Sequence, residues 1–390
     1  MSLILTLNAG SSSIKFGLYT AETEPVEEAR GQIDALGPSA RLILQQEGAV
    51  TVTQIGPADH AAGLDAVLTA LVPLMAGRKI AAVGHRVVHG GPDIDGPRVV
   101  TPDLMAKLEA LAPLAPLHQP HNLAGVRAAL GAFPQAVQVA AFDTAFHRGH
   151  PFVNDTFALP RRFYEQGVRR YGFHGLSYDY IAGRLAADHP DLASARVIVA
   201  HLGNGASLCA IRDGRSVAST MGFSALDGMP MGTRVGQLDP GVVLYLMGQG
   251  MSAEEITTLL YTESGLKGLS GISHDMRVLL ASDAPEAREA IAYYTFRLGR
   301  EIGGLAAALG GLDALVFTGG IGENAAPVRA MALDRLGFLG LELDHARNAE
   351  NAATIHTGPV PILVMATDEE RIIARAAAAA LLTDGKKAQT

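Results

Sequence analysis

Two arginines and three other polar side chains stand in segments where they could bind anionic groups. Arg86 lies between two histidines in "GHRVVHGG", and Arg234 lies in the glycine-rich stretch "MPMGTRVG". A guanidinium binds carboxylate or phosphate oxygens through two parallel hydrogen bonds, so two arginines suit a site that brings two anions together. The other candidates, in "LAPLHQPHN", "FDTAFH" and "RYGFHG", are His118, Asp143 and His174. Singly, each is often a surface or core residue, but together they predict a polar active site.

Glycine-rich turns supply a second kind of anion-binding group. The opening stretch "LILTLNAGSSSIKFGLY" reads as a strand, a polar turn and a second strand. Its pattern L-x-x-G-x-S begins at Leu7 and again at Leu202, 195 residues later, which is half of the 390-residue chain. The echo predicts a duplicated domain, and backbone N–H groups and hydroxyls of two such turns could cradle a phosphate chain.

One further glycine motif leaves an alternative open. "GIGENA", residues 320–325, follows the strand-like run "ALVF" and matches G-x-G-x-x-A. A dinucleotide fingerprint here would make the protein a nicotinamide-dependent oxidoreductase, although its late position favours another kind of nucleotide turn. The chain has no G-x-x-x-x-G-K-[ST], G-x-S-x-G or H-E-x-x-H motif, which argues against a P-loop, a nucleophile elbow and a zincin.

Length and composition set the frame for these residues. A chain of 390 residues exceeds what one core usually supports, so two domains are expected. With 31 Lys and Arg against 39 Asp and Glu, the net charge of −8 argues against nucleic-acid or membrane partners. Cys209 is the only cysteine and "LILTL" is too short for a signal peptide, so we expect a cytoplasmic protein.

Strand-like and helical segments alternate along the chain. The β-branched runs fall in residues 81–91, 136–147, 196–211, 314–324 and 360–370, and a long helical pattern covers 284–309. This alternation predicts an α/β fold with a parallel or mixed sheet. We place the domain boundary near residue 148.

The ordered motif set resembles the acetate kinase family along nearly the whole chain. The matching segments are "LNAGSSSIKF", "GHRVVHGG", "APLHQP", "FDTAFH", "YGFHG", "AHLGNGAS", "STMGF", "PMGTR", "FTGGIGEN" and "TDEE". The resemblance implies two duplicated ribonuclease-H-like domains with the actin-like ATPase fold, flanking an active-site cleft. It assigns 1–148 with 369–390 to the first domain, and 149–368 to a second that binds nucleotide and forms a homodimer interface.

The same resemblance assigns roles in phosphoryl transfer between ATP and acetate, with acetyl phosphate and ADP as the other pair. Asp143 matches the catalytic aspartate, Arg86 and Arg234 the pair that holds the acyl carboxylate and the phosphoryl group, His174 a transition-state donor, and His118 a residue near the phosphoryl path.

Cofactor and substrate contacts follow from the resemblance as well. Asn8 and Glu369 match the residues on the Mg²⁺ side, where Mn²⁺ is an alternative ion. The residues that would face ATP are Lys15, Ser12, His201, Gly203, Asn204, Gly205, Asp275, Arg277, Gly320, Ile321 and Asn324. Val88, Leu117 and Ala225 would line the acyl pocket.

Departures from the family pattern affect the substrate prediction. Ala225 stands where the family usually has proline, and a smaller side chain could admit propionate, so a propionate or other short-chain carboxylate kinase stays the alternative. Gln119, Leu176, Tyr178 and His274 also depart from the pattern, and we expect them on loops near the phosphoryl path. A nucleotide-binding module of the chaperone or actin type, with slow hydrolysis and a protein partner, is a further alternative.

Overall fold

The structure is a computed structural model that describes residues 2–10 and 13–387. The chain divides into two compact units, unit 1 (Met1–Arg148 with Asp368–Thr390) and unit 2 (Gly149–Thr367). Each unit has its own sheet. In the part of the chain that the structure describes, no helix is both long and apolar enough to cross a membrane.

Strands and helices are numbered along the chain. The strands are β1 (Leu3–Ala9), β2 (Ile14–Thr20), β3 (Glu27–Asp34), β4 (Gly37–Gln46), β5 (Ala49–Ala58), β6 (Ile80–Val87), β7 (Arg98–Val99), β8 (Val137–Phe142), β9 (Val197–Leu202), β10 (Ala206–Arg212), β11 (Arg215–Ser219), β12 (Ala314–Thr318) and β13 (Ile362–Val364). The α-helices are α1 (His60–Met75), α2 (Pro102–Ala110), α3 (Gln119–Ala132), α4 (Phe152–Asp155), α5 (Arg161–Glu165), α6 (Gly175–Asp188), α7 (Pro240–Gly248), α8 (Ala253–Thr258), α9 (Gly265–Ser270), α10 (Met276–Leu280), α11 (Pro285–Leu309), α12 (Gly319–Asn324), α13 (Ala326–Leu333), α14 (His345–Ala349) and α15 (Glu369–Lys387).

The two sheets share one strand pattern. In unit 1 the order is β5-β4-β3-β2-β1-β6-β8-β7, and in unit 2 it is β11-β10-β9-β12-β13. In both, the first strand pairs antiparallel with the second and parallel with a later strand, β6 in unit 1 and β12 in unit 2. The turns of the two L-x-x-G-x-S segments are the β1–β2 and β9–β10 connections. The predicted α/β fold of two ribonuclease-H-like halves is therefore confirmed.

The central strands of each sheet are apolar because both of their faces are covered. β12 is buried at every position, and β8 at all but its first. In unit 1, α15 lies against β1, β6 and β8 with Ala374 and Ala377 buried. A Cβ on Gly84 would come within 2.5 Å of Ile373 Cγ2, so only glycine allows this close approach of α15 to β6. That approach brings the start of α15 to the carboxyl ends of the parallel strands.

Candidate functional site

In unit 1, three polar side chains meet at the carboxyl ends of parallel strands. Asn8 is near the end of β1, Arg86 is near the end of β6, and Asp143 follows β8. Arg86 Nε donates to Asp143 Oδ1 at 2.9 Å and Nη2 donates to Oδ2 at 2.6 Å, while Nη1 donates to Asn8 Oδ1 at 3.3 Å. This edge of an α/β sheet is where ligands usually bind.

A fourth group comes from the start of α15. Glu369 Oε2 lies 3.9 Å from Arg86 Nη1, and Asp368 caps the helix by accepting from the backbone N–H of Arg371. Burial acts to lower the pKa of Arg86, but the negative charges of Asp143 and Glu369 outweigh it, so the net shift of that pKa is upward. Arg86 is therefore a permanent cation whose direction is fixed by carboxylates.

Buried amides hold the loops beside this cluster. Asn122 Nδ2 donates to the carbonyl of Ala9 at 2.6 Å, and its Oδ1 accepts from the backbone N–H of Val88 at 3.0 Å. One side chain thus ties the end of β1 to the end of β6. Gln119 holds the backbone of His89: its Oε1 accepts from the His89 N–H at 3.2 Å, and its Nε2 donates to the His89 carbonyl at 3.0 Å.

The remaining predicted residues of unit 1 are more scattered. Lys15 is on β2 and lines a cavity of about 260 Å³ with Asp368 and Glu370, where burial and then Glu369 raise the pKa of Glu370. Val88 is buried just after β6, whereas the Leu117 side chain is 40% exposed. His118 is half-buried before α3, and Ser12 lies outside the described residues.

In unit 2, two histidines stack over the β9–β10 hairpin. The rings of His174 and His201 are 4.4 Å apart and inclined by 24°. His174 Nδ1 lies 2.8 Å from Ser207 Oγ, and Ser207 is the cross-strand neighbour of His201. His174 precedes α6 with φ of 57°, a left-handed backbone that a non-glycine residue seldom adopts and that often marks a functional site.

Glycine at position 205 leaves room between His174 and Arg234. A Cβ there would lie 3.3 Å from His174 Nε2 and 3.8 Å from Arg234 Nη1. Arg234 Nη1 also donates to the carbonyl of Ala225 at 3.4 Å, in the loop predicted for the acyl pocket. Gly205, His174 and Arg234, which are all predicted site residues of unit 2, thus border one small space.

A cavity of about 580 Å³ gathers most of the residues predicted to face the nucleotide. Its lining includes Gly203, Asn204, His274, Asp275, Arg277, Gly320, Ile321 and Asn324. Asp275 caps α10 by accepting from the Arg277 backbone, and hydrogen bonds from the Arg277 side chain lower the pKa of Asp275 to about 2.

Comparisons with known proteins identify the family to which these two clusters belong. The family model for the acetokinase family matches residues 3–375. The chain belongs to the acetokinase family. Acetate kinase of Methylocella silvestris is 53% identical over 388 residues, which cover 95% of this chain and 96% of that protein.

Solved structures of the acetokinase family agree with this assignment. A propionate kinase from Francisella tularensis superposes with a TM-score of 0.91 at 36% identity, covering 96% of this chain and 99% of that one. Porphyromonas gingivalis acetate kinase gives 0.87 at 37% identity, covering 98% of this chain and all of that one. The resemblance read from the motifs is confirmed, and the protein is a kinase rather than a nicotinamide-dependent oxidoreductase built on "GIGENA".

The family departures do not lie where the sequence suggested. Gln119 is the first residue of α3, and Leu176 and Tyr178 are on α6, all three buried. The expectation of loop positions was wrong for these residues, because each lies on a helix with its own side chain packed inward. His274 alone fits it, since it is exposed outside the helices.

Sequence reasoning missed the residues that support the site. Ser177 Oγ lies 2.8 Å from His201 Nδ1, and the Tyr178 hydroxyl contacts Ser207 Oγ. A partial signal was available for these two, since they follow His174 by three and four residues and lie in the first turn of the helix that His174 precedes. Asn122 had no comparable signal, because its partners are Ala9 and Val88, distant in the sequence.

Proposed function

We propose that the protein catalyses reversible, Mg²⁺-dependent transfer of the γ-phosphoryl group of ATP to acetate, giving acetyl phosphate and ADP. Membership of the acetokinase family supports the reaction class. The observation that carries the proposal for this chain is the Arg86 guanidinium, held by both oxygens of Asp143 at the strand ends of unit 1.

The chemistry needs charge neutralisation more than proton transfer. Acetate is already ionised at neutral pH, so it needs no strong base to become a nucleophile. Two anions must approach in line, and fixed cations can offset their repulsion. Arg86 and Arg234 bind the acyl carboxylate and the phosphoryl group, and His174 donates a hydrogen bond to the phosphoryl oxygens in the transition state. Orientation of this kind is worth roughly 7 to 11 kcal/mol of the barrier.

Asp143 orients Arg86 in this proposal and does not accept a proton. Both of its oxygens already accept from Arg86, and its side chain is almost completely buried. His118 contributes near the phosphoryl path.

ATP binds through unit 2 in this proposal. Backbone groups of Gly203, Asn204 and Gly205 in the β9–β10 hairpin face its phosphates, with His201 beside them. The adenosine occupies the cavity lined by Asp275, Arg277, Gly320, Ile321 and Asn324. Lys15 and Ser12, from the equivalent hairpin of unit 1, face the phosphates as well.

Asn8 and Glu369 hold Mg²⁺, with Mn²⁺ as an alternative ion. They offer hard oxygen donors beside Asp143, and Mg²⁺ characteristically combines one or two such donors with substrate phosphates and water. Among the described residues no group of three His, Cys, Asp or Glu side chains could bind a metal alone, which fits an ion that arrives with the nucleotide. When bound, the ion neutralises charge on the phosphate oxygens.

Acetate is the preferred acceptor in this proposal, and propionate is the nearest alternative. Val88, Leu117 and Ala225 form the apolar walls of the acyl pocket. One methylene is worth about 1 to 3 kcal/mol in such a pocket, so discrimination between the two acids is partial. The curated relatives at 50% identity or more are named acetate kinase, which supports acetate.

We also propose a homodimer that forms through unit 2 in the cytoplasm. Helix α7 exposes four large apolar side chains, Val242, Leu244, Tyr245 and Met247. Such a patch is typical of an association surface. The cytoplasmic location rests on cysteine usage, because the single cysteine is buried and a disulfide framework is impossible.

Trapping of acyl phosphate with hydroxylamine tests the reaction. The protein is incubated with ATP and Mg²⁺ and with formate, acetate, propionate or butyrate, beside a control without carboxylate. Hydroxamate with acetate above the other acids supports the proposal. Higher turnover with propionate than with acetate would make propionate the preferred acceptor. ATP hydrolysis without any hydroxamate would contradict the proposed reaction.

A further inference from the structure

Four consecutive backbone N–H groups after β6 each donate to a side chain. The donors belong to residues 88–91, and the acceptors, in that order, are Asn122 Oδ1 at 3.0 Å, Gln119 Oε1 at 3.2 Å, Thr144 Oγ1 at 3.0 Å and His89 Nδ1 at 3.0 Å. All four residues of this segment are buried. Buried backbone N–H groups must be paired, and here side chains do what water does for an exposed loop.

Gln119 uses its whole amide to hold this segment. While Oε1 accepts from the His89 N–H, Nε2 donates to the His89 carbonyl at 3.0 Å and to the carbonyl of Leu108, in the last turn of α2, at 3.2 Å. Both N–H groups of the amide and its oxygen are therefore bonded. The Gln119 side chain is fully buried, so it connects the start of α3, the end of α2 and residues 88–91.

Two of these bonds fix the backbone on either side of Val88. The Val88 N–H belongs to the peptide plane before its Cα, and that plane is held by Asn122. The His89 N–H belongs to the plane after it, which is held by Gln119. Because each peptide unit is planar, fixing both planes fixes the two backbone dihedrals of Val88.

Close packing adds to the hydrogen bonds. A Cβ on Gly90 would lie 3.2 Å from Ile94 Cβ and from Phe142 Cδ1, and a Cβ on Gly91 would lie 3.1 Å from Leu111 Cδ1. The segment therefore has neighbours on more than one side and little space into which it could shift.

We propose that Gln119 is a positioning residue that keeps Val88 as a rigid wall of the acyl pocket and so limits the length of the carboxylate that is accepted. The inference rests on the proposed function, which assigns Val88 to that pocket. An extra methylene is excluded only where the wall resists displacement, because a wall that yields avoids the cost of overpacking. Preorganisation of the wall is thus the source of the discrimination between acetate and propionate.

Gln119→Met tests the proposal, because it keeps the length of the side chain and removes all three hydrogen bonds. The ratio of kcat/KM for propionate to that for acetate should rise roughly three- to tenfold, the equivalent of one hydrogen bond, with the KM for ATP unchanged. The matched control is Gln138→Met. Gln138 is also a buried glutamine of unit 1, bonded to His85 and to the carbonyl of Phe133, and its substitution should leave the ratio unchanged.

Amide hydrogen exchange in the full-length protein without substrate gives a second readout. Exchange in residues 88–91, relative to that in β1, should be about tenfold faster in Gln119→Met than in the wild type, because the segment opens locally once it is released. Gln138→Met should show the wild-type relative rate. An unchanged ratio of the two acids in Gln119→Met, or an unchanged relative exchange rate, overturns the proposal.

A second variant covers the case in which Gln119→Met does not fold. Thr144→Val keeps the shape of the side chain and removes only the acceptor of the Gly90 N–H, so it must raise the propionate ratio in the same direction. An unchanged ratio there overturns the proposal. If the wild type forms no hydroxamate, the proposed function fails, and the exchange measurement still decides whether Gln119 holds the segment.

Discussion

The guanidinium of Arg86 and the carboxylate of Asp143 form a two-point ion pair, with Nε to Oδ1 at 2.9 Å and Nη2 to Oδ2 at 2.6 Å. The pair occupies the Nε–Nη2 edge of the guanidinium and leaves Nη1 directed toward Asn8 and Glu369. Planar pairing fixes the orientation of an arginine far better than a single contact does. Preorganisation of this cation is the main contribution of unit 1 to the proposed reaction.

Asp143→Asn should lower kcat by about 10²- to 10³-fold while the KM for ATP changes little, because the arginine loses the charge that aligns it. Steady-state kinetics by hydroxamate formation measures the effect. The control is Glu28→Gln, which weakens an equally bidentate pair with Arg78, at 2.6 and 2.7 Å, on β3 of the same unit. Near-normal turnover in Asp143→Asn would contradict the orienting role.

Gly320→Val should raise the KM for ATP about tenfold, because the added side chain enters the proposed adenosine cavity. A Cβ at Gly320 meets no atom within 4 Å, so the fold itself should tolerate the change. The KM for acetate should stay constant.

The matched control for this substitution is Gly183→Ala. Gly183 is a solvent-exposed residue in the middle of α6, where a Cβ also meets no atom within 4 Å. It should leave both KM values unchanged and add about 0.5 to 1 kcal/mol of stability. An unchanged KM for ATP in Gly320→Val would place the nucleotide elsewhere.

The sequence predicted the elements that carry the site better than the contacts that support it. Gly10 and Gly205 predicted two equivalent hairpins, because a tight turn needs particular residue types and these can be recognised in a sequence. Asn122, by contrast, acts through a carbonyl 113 residues away. Such a contact depends on how helix α3 meets the sheet, which no local pattern encodes.

Val88→Ala should raise the ratio of kcat/KM for propionate to that for acetate by about tenfold, since a shortened wall admits one more methylene. Val88 is 5% exposed and its backbone is held by Asn122, so the truncation should enlarge the pocket rather than move the loop. Val67→Ala removes the same volume from the core around α1 and should leave the ratio unchanged. If Val88→Ala and Val67→Ala have the same ratio of kcat/KM for propionate to that for acetate, Val88 does not line the acyl pocket.

His85 should make the protein less stable in mild acid. It is next to Arg86 on β6, 2% exposed, with Nε2 2.8 Å from Gln138 Oε1. Burial lowers its pKa from 6.5 to about 4, and the hydrogen bond with Gln138 opposes this only in part. Because the folded pKa is below the unfolded one, the unfolded state binds more protons between these values. Stability is therefore complete above pH 6.5 and declines as the pH falls toward 4.

The contribution of His85 should lower the free energy of unfolding by about 1 kcal/mol between about pH 7.5 and about pH 5.5. Denaturant unfolding at the two pH values can measure this change. His85→Gln removes the titrating ring. The difference in the free energy of unfolding between the two pH values should therefore shrink by that amount, even if the variant is less stable at both. His345→Gln, on the exposed face of α14, should leave the difference as it is in the wild type. If His85→Gln and the wild type lose the same stability in acid, His85 is not the group whose protonation opposes folding.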